Sequence, residues 1–227
     1  MQLLAAVMLQ HRKNSEEACM QRIIFATGNE NKMKEIRAIL QGLHFGGEPV
    51  EIVSMKEAGI VIEIEETGTS FEENAQIKAQ AVWNCAGGAI VMADDSGLEI
   101  DYLNKEPGIY SARYMGEDTS YHIKNLNLLE RLQGVPEEKR AARFVCAIAC
   151  VMPDGKCLVT RETIEGRIGY EEKGTHGFGY DPIFYVPEYG KSTAELSEDE
   201  KNEISHRGKA LRSMRQRLEN YQAGENI

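Results

Sequence analysis

The 227-residue chain has no surplus of positive charge, no long apolar run near its start and no paired-cysteine motif. Its 26 Lys and Arg are outnumbered by 36 Asp and Glu, for a formal net charge of -10. Wrapping duplex nucleic acid requires a basic face to neutralise phosphates, so no nucleic-acid partner is expected. A small phosphorylated ligand needs only a few placed cations and stays open. The apolar stretch Leu3 to Leu9 is too short to cross a bilayer and follows no basic residue, which argues against a membrane anchor or a secretory signal. Five cysteines (Cys19, Cys85, Cys146, Cys150, Cys157) form no CxxC pair, so a zinc ribbon or disulfide framework does not fit, and a reducing, cytoplasmic setting does. Hydrophobic residues at 42% and charged residues at 27% are globular values, which sets aside disordered and fibrous classes.

No internal repeat or low-complexity linker divides the chain. Residues 1–21 read as an extension, with Met20 a possible alternative start, and residues 22–227 as one domain. The run IIFAT at 23–27, followed by Met33, Ile36, Leu40 and Leu43 at helical spacing, predicts strand, turn and helix, with Asn29 as N-cap and Gly42 as stop. EIVSM from Glu51 reads as a second strand. Ser70 and Glu73 predict a capping box for a helix reaching about Cys85, and AIVMADD predicts a buried strand that ends in carboxylates. Residues 118–132 predict a helix with Leu126, Leu129 and Leu132 on one side. Strands flanking Pro153-Asp154-Gly155 predict a long hairpin, and PIFYV one more strand. Ser197 and Glu200 open one long final helix with Ile204, Leu211, Met214, Leu218 and Tyr221 as its buried stripe. Strand–helix units mixed with a hairpin imply an α/β fold with a mixed sheet.

Five segments carry chemistry. A strand feeding Gly28 and a helix start places backbone N–H groups and a partial positive charge together, with Thr27, Asn29 and Lys32 around them; anion binding and simple capping are both open. Lys78 and Asn74 share the buried stripe of their helix, so the Lys78 amine either faces a polar cleft or snorkels to water. Asp94 and Asp95 at a strand end, with Glu65 and Glu66 nearby, offer hard oxygen ligands suited to Mg²⁺ shared with phosphates; capping of a turn is the alternative. In GTHGFGYDP, residues 174–182, glycines flank Phe178, Tyr180 and Asp181, either admitting a flat ligand or forming an irregular loop. Lys201, His206 and Arg207, with Ser205 four residues from Lys201, gather three cation-capable side chains on the last helix, where the bland alternative is surface charge. There Gly208 marks a break or a close approach.

Together FATGNENKMKEI, EETGTSFEENAQIKA, ADDSGLEID, PGIYSARYMGED, GFGYDPIFYVP and AELSEDEKNEISHRGKAL, in this order, resemble the inosine triphosphate pyrophosphatase family over Ile23 to about Leu218. The resemblance implies hydrolysis of ITP, dITP or XTP to the monophosphate and pyrophosphate, Mg²⁺ dependence, an elongated two-lobed α/β fold with a central cleft, and a homodimer. It further implies that Thr27, Gly28, Asn29, Glu30, Asn31 and Lys32 hold phosphates beside Lys78. Asp95 matches the catalytic carboxylate, Glu66 (or Glu65) a metal ligand, and Ser96 a substrate contact. Phe178, Gly179, Tyr180, Asp181, Lys201, Ser205, His206 and Arg207 match nucleotide-binding positions, with Phe178 as stacking ring. Two rivals stay open: a pyrophosphatase for modified or pyrimidine nucleotides, and a nucleotide-binding protein without hydrolysis.

Overall fold

A computed structural model describes residues 21–221, so the expected extension lies outside the described residues except for Gln21, which opens the first strand. In chain order the elements are β1 (Gln21–Phe25), α1 (Glu30–Ile39), β2 (His44–Phe45), β3 (Glu48–Ser54), α2 (Phe71–Trp83) and β4 (Ile90–Ile100), then α3 (Tyr121–Arg131) and β5 (Ala141–Val151). They continue with β6 (Cys157–Ile168), β7 (Phe184–Val186), β8 (Lys191–Ser192), α4 (Glu198–Ile204) and α5 (His206–Glu219). The eight strands form one mixed sheet in the order β2-β3-β1-β4-β5-β6-β7-β8. β1 pairs parallel with β3 and β4, and the remaining pairings are antiparallel. The mixed α/β class is thus borne out.

Three apolar clusters divide the molecule. On one sheet face, α1 and α5 cover β1 and the first half of β4 through Met33, Ile36, Leu40, Leu211, Met214 and Leu218. On the opposite face α2 packs through Phe71, Ala75, Ala79 and Val82. Farther along the same strands, Leu98 and Ile100 of β4 and Ala142 and Phe144 of β5 join Leu128 of α3 and its C-cap Leu132 in a third cluster. By strand alternation these belong to the face that carries α1 and α5, so a cleft separates two lobes over the middle of β4.

Several local expectations are corrected. β4 does not stop at the carboxylates: Asp94, Asp95, Ser96 and Gly97 are mid-strand, paired with Ile148, Ala147, Cys146 and Val145 of β5. Ser-Gly reads locally as a turn, but the β5 ladder supplies enough partners to override that preference. The expected single final helix is two, because Ser205 adopts φ -64 and ψ 151 and its hydroxyl caps α5 through Gly208 N. Gly208 lies so close to α4 that a Cβ there would sit 2.0 Å from the Asn202 carbonyl. Ser70 caps α2 as expected, yet the Glu73 carboxylate completes no box; it accepts from Thr69 N and Oγ1 at 2.6 and 2.8 Å. On α3 the buried residues are Lys124, Asn125 and Leu128, and Leu126 is 48% exposed.

Candidate active site

β1 ends at Phe25, and its pairing with β4 ends opposite Met92. Beyond that point β4 runs on with no β1 beside it, so both of its faces meet at an open edge. Adjacent residues of a strand point to opposite faces. Asp94 therefore serves the face covered by α1 and α5, and Asp95 the face covered by α2.

On the Asp94 face, the turn after β1 is organised by Asn29, whose Oδ1 accepts from Asn31 N and Lys32 N at 3.0 and 3.2 Å. The capping reading thus accounts for those two N–H groups. Thr27 Oγ1 accepts from Asn29 N at 3.2 Å. Gly28, Asn29, Glu30 and Asn31 are exposed, and no atom lies within 4 Å of where a Gly28 side chain would start. Lys32 Nζ donates to Asp94 at 3.0 Å. Arg207 from α5 reaches Asp94 Oδ2 at 3.4 Å and Ser96 Oγ at 3.1 Å, and its third nitrogen pairs with Glu35. Lys201 donates to Glu35 at 3.0 Å and to Asp181 at 2.8 Å, while the same Asp181 oxygen takes the Phe178 N–H at 2.8 Å. Burial pushes the Asp94 carboxyl upward, but Lys32 and Arg207 outweigh it and hold the group well below the usual carboxylate range.

This network frames a cleft of about 190 Å³ lined by Asn29, Lys32, Ser96, Phe144, Phe178–Asp181, His206 and Arg207. That is below the ~300–1,000 Å³ of a complete small-molecule site, so it suits one flat ring rather than a whole nucleotide. His206 is 8% exposed and stacks on Phe144, with centroids 4.9 Å apart and planes 18° apart. Burial, then Arg207 and Lys201, hold its pKa well below the ordinary value, so the ring is neutral at pH 7. Its Nδ1 is buried without a hydrogen-bond partner. Such an atom is costly unless something fills its valence. Lys201 and Arg207 lie 4.9 and 5.6 Å from the Phe178 ring.

On the α2 face, Lys78 Nζ bridges two carboxylates, Glu66 Oε1 at 2.7 Å and Asp95 Oδ1 at 3.1 Å. Asn74 Nδ2 donates to Asp95 Oδ2 at 3.3 Å, and Arg113 takes the other Glu66 oxygen at 2.8 Å. Burial, followed by Glu66 and Asp94, raises the Asp95 pKa despite Lys78. Lys78 stays charged because Asp95, Asp94 and Glu66 outweigh its desolvation. Of the two open readings for Lys78, the polar cleft is the one observed.

Glu66 and Asp95 are brought together, whereas Glu65 is exposed and Asp94 is committed to Lys32 and Arg207 on the other face. Among the described residues no three Asp, Glu, His or Cys side chains converge as metal ligands. Two adjacent carboxylates still fit a hard divalent cation that keeps waters and takes phosphate oxygens. Tyr180 is buried, its hydroxyl bound to the Ser111 carbonyl at 2.7 Å, and the Gly179 carbonyl takes Asn125 Nδ2 at 3.3 Å. Ser205 is occupied in capping α5. Sequence reasoning missed Glu35, the shared acceptor of Lys201 and Arg207, and Arg113. Glu35 lies three residues after Lys32 on α1, a spacing that marks a common helix face.

Comparison with known proteins decides the family. A match to the Ham1 family spans residues 23–217. The chain belongs to the Ham1 family. Among its Ham1 relatives, the dITP/XTP pyrophosphatase of Caldanaerobacter subterraneus is 48% identical over 197 residues, covering 87% of this chain and 96% of the relative. The dITP/XTP pyrophosphatase of Exiguobacterium sibiricum is 46% identical over 193 residues, covering 85% and 94%. The solved Staphylococcus aureus Ham1 protein is similar with a TM-score of 0.78 and 39% identity, covering 89% of this chain and all of that one. Family and fold thus agree with the resemblance read from the motifs. No helix among the described residues is long and apolar enough to cross a membrane.

Proposed function

We propose that the chain hydrolyses non-standard purine nucleoside triphosphates (dITP, ITP and XTP) to the monophosphate and pyrophosphate. The observation that carries this reading is the continuous polar tract around the end of β1. It runs from a ring-sized cleft with an unpartnered His206 nitrogen, past Lys32, to two carboxylates sharing Lys78. The names of the Ham1 relatives support the substrate class.

The base enters between the lobes, stacked on Phe178 above the Asp181 loop. Arg207 and backbone N–H groups supply donors for a 6-oxo group, and neutral His206 offers Nδ1 to the base edge. A base carrying the wrong exocyclic group leaves buried polar atoms unpaired, which gives strong rejection. Thr27 to Lys32 take the triphosphate along the open rim of α1. Glu66 and Asp95 are the pair to hold Mg²⁺, which supplies Lewis-acid polarisation of the phosphate oxygens. Asp95 accepts the proton of the attacking water as its oxygen bonds to the α-phosphorus and the α–β bridging oxygen leaves with pyrophosphate. Asp94, held ionised by two cations, instead fixes Lys32 and Arg207. Lys32 and Lys78 offset the charge that grows on the leaving group.

The catalytic domain is assigned to residues 22–227. The homodimer implied by the resemblance and the cytoplasmic setting read from cysteine usage belong to this reading; the free thiols of buried Cys146 and Cys150 fit a reducing compartment, and sedimentation tests the dimer. A Mg²⁺-dependent panel of dITP, ITP, XTP, dGTP and dTTP, with separate detection of pyrophosphate and orthophosphate, tests the activity. Pyrophosphate from the first three is expected. Orthophosphate without pyrophosphate would refute the reaction, and turnover confined to dTTP the substrate class.

A further inference from the structure

We propose that Arg113 is a positioning residue that neutralises Glu66 in the nucleotide-free protein and yields it to a divalent cation when the triphosphate arrives, turning its own charge to the phosphates. The proposal rests on the reading of Glu66 and Asp95 as the metal pair.

Both oxygens of Glu66 are occupied by cations from the protein itself: Oε1 by Lys78 at 2.7 Å and Oε2 by Arg113 at 2.8 Å. With Asp95 Oδ1 on the same ammonium at 3.1 Å, two carboxylates are balanced by two fixed positive charges. A divalent cation entering this neutral group would leave a large positive excess unless a fixed cation withdrew or an anion came with it. A triphosphate meets both conditions. Of the two fixed cations, Arg113 is the freer, with its side chain 30% exposed against 12% for Lys78.

Arg113 is not a loose surface arginine. Its backbone neighbours are pinned: Ser111 Oγ accepts from Leu98 N at 2.9 Å and donates to the Gly108 carbonyl at 2.6 Å, and the Tyr180 hydroxyl holds the Ser111 carbonyl at 2.7 Å. Lys124, 1% exposed, donates to the Ala112 carbonyl at 2.6 Å. The loop lies flush on β4 at Gly97, where a Cβ would stand 2.4 Å from the Gly108 carbonyl. The guanidinium itself lies 5.0 Å from the centre of the Tyr110 ring. Ser111 and Ala112 also line the nucleotide cleft. A fixed backbone thus carries one part-exposed, charged end, placed between the base cleft and the carboxylate pair. Divalent-cation binding is thereby held back until nucleotide is present.

The test compares wild type with Arg113→Gln, using Mn²⁺ titrated into nucleotide-free protein by electron paramagnetic resonance, and KM for Mg·dITP. Arg113→Met, which keeps an unbranched apolar side chain without the charge, repeats both measurements if Gln disturbs the loop. Expected are about tenfold tighter Mn²⁺ binding in either variant and about tenfold higher KM. A merely structural support for Glu66 would give weaker Mn²⁺ binding, and that result, or unchanged Mn²⁺ binding, overturns the proposal while wild-type pyrophosphate release leaves the function intact. A wild type that releases no pyrophosphate from dITP with Mg²⁺ removes the underlying reading and this inference with it.

Discussion

Asp94→Asn and Asp95→Asn, one residue apart, are expected to fail in opposite ways. Asp94 is 1% exposed at its side chain and holds Lys32 at 3.0 Å and Arg207 at 3.4 Å. Lys32, 20% exposed, can rehydrate when the charge is removed, whereas Arg207, 4% exposed, cannot and keeps Glu35 as its one ionic partner beside Ser96 Oγ at 3.1 Å. Breaking a buried ion pair from one side costs about 3–5 kcal/mol, and the surviving Glu35 and the Asn oxygen put this case near the lower end. At roughly 2–4 °C per kcal/mol for a domain of this size, Asp94→Asn should melt about 6–12 °C below wild type. Asp95 differs because burial, Glu66 and Asp94 all work against its charge. Replacing it with Asn removes that penalty and leaves Lys78 with Glu66, so the net change should stay within about 1 kcal/mol. Turnover reverses the order: loss of the base and of one of the two metal-facing carboxylates should lower kcat for Mg·dITP by about 10²–10⁴. Thermal unfolding of metal-free protein and pyrophosphate release under saturating dITP read the two effects separately. The reasoning fails if Asp95→Asn melts as low as Asp94→Asn, or if it keeps kcat within tenfold of wild type.

Two further outcomes follow from the same geometry. In acid, Asp94 and Glu35 keep depressed pKa values because Lys32, Arg207 and Lys201 outweigh the upward push of burial, so the unfolded chain binds protons that the folded one does not. Their contribution is present above the ordinary carboxylate range near pH ~4 and is lost as pH falls through it toward the folded values. The urea midpoint should drop from pH 6 to pH 3.5, and less steeply in Asp94→Asn; an equal slope in both proteins refutes this. Gly208→Ala would place its Cβ 2.0 Å from the Asn202 carbonyl, forcing α4 and α5 apart at a cost of about 1–3 kcal/mol or more and raising KM for dITP through His206 and Arg207. Wild-type stability and KM in this variant would show that the close approach does not position the cleft.

Features set by neighbours in sequence were legible without coordinates. The Asn29 cap, the hairpin at Pro153–Gly155 and the Lys78 stripe each depend on side chains within one or two turns of chain, and each stands as read. What escaped depends on partners far away. Ser96-Gly97 signals a turn until β5 is laid beside it, and Ser205 reads as mid-helix until α4 and α5 are seen to cross at Gly208. Glu35 meets Arg207 across 172 residues and Arg113 meets Glu66 across 47, separations at which no local pattern carries information. Lys78 and Asn74 stood out as polar side chains at buried spacings, whereas the carboxylates they meet, Glu66 and Asp95, could not be paired with them from the local pattern.

The continuation of β4 past its two aspartates gives the adjacent carboxylates different surroundings. Had the strand ended at the two carboxylates, as its sequence suggests, nothing would have held them to opposite faces, and they could have turned toward the same cations. Continued pairing with β5 forces them to opposite faces, where alternation is as strict as the ladder itself. One face supplies Lys32 and Arg207 and makes Asp94 a permanent anion that fixes the binding cations. The other supplies burial and Glu66, leaving Asp95 with a raised proton affinity and a single shared ammonium. β1 stops two residues short of this point, opposite Met92, so a ligand can pass around its end and meet both faces at once. On the proposed function, binding and chemistry are thus separated by one peptide unit and joined by an open sheet edge.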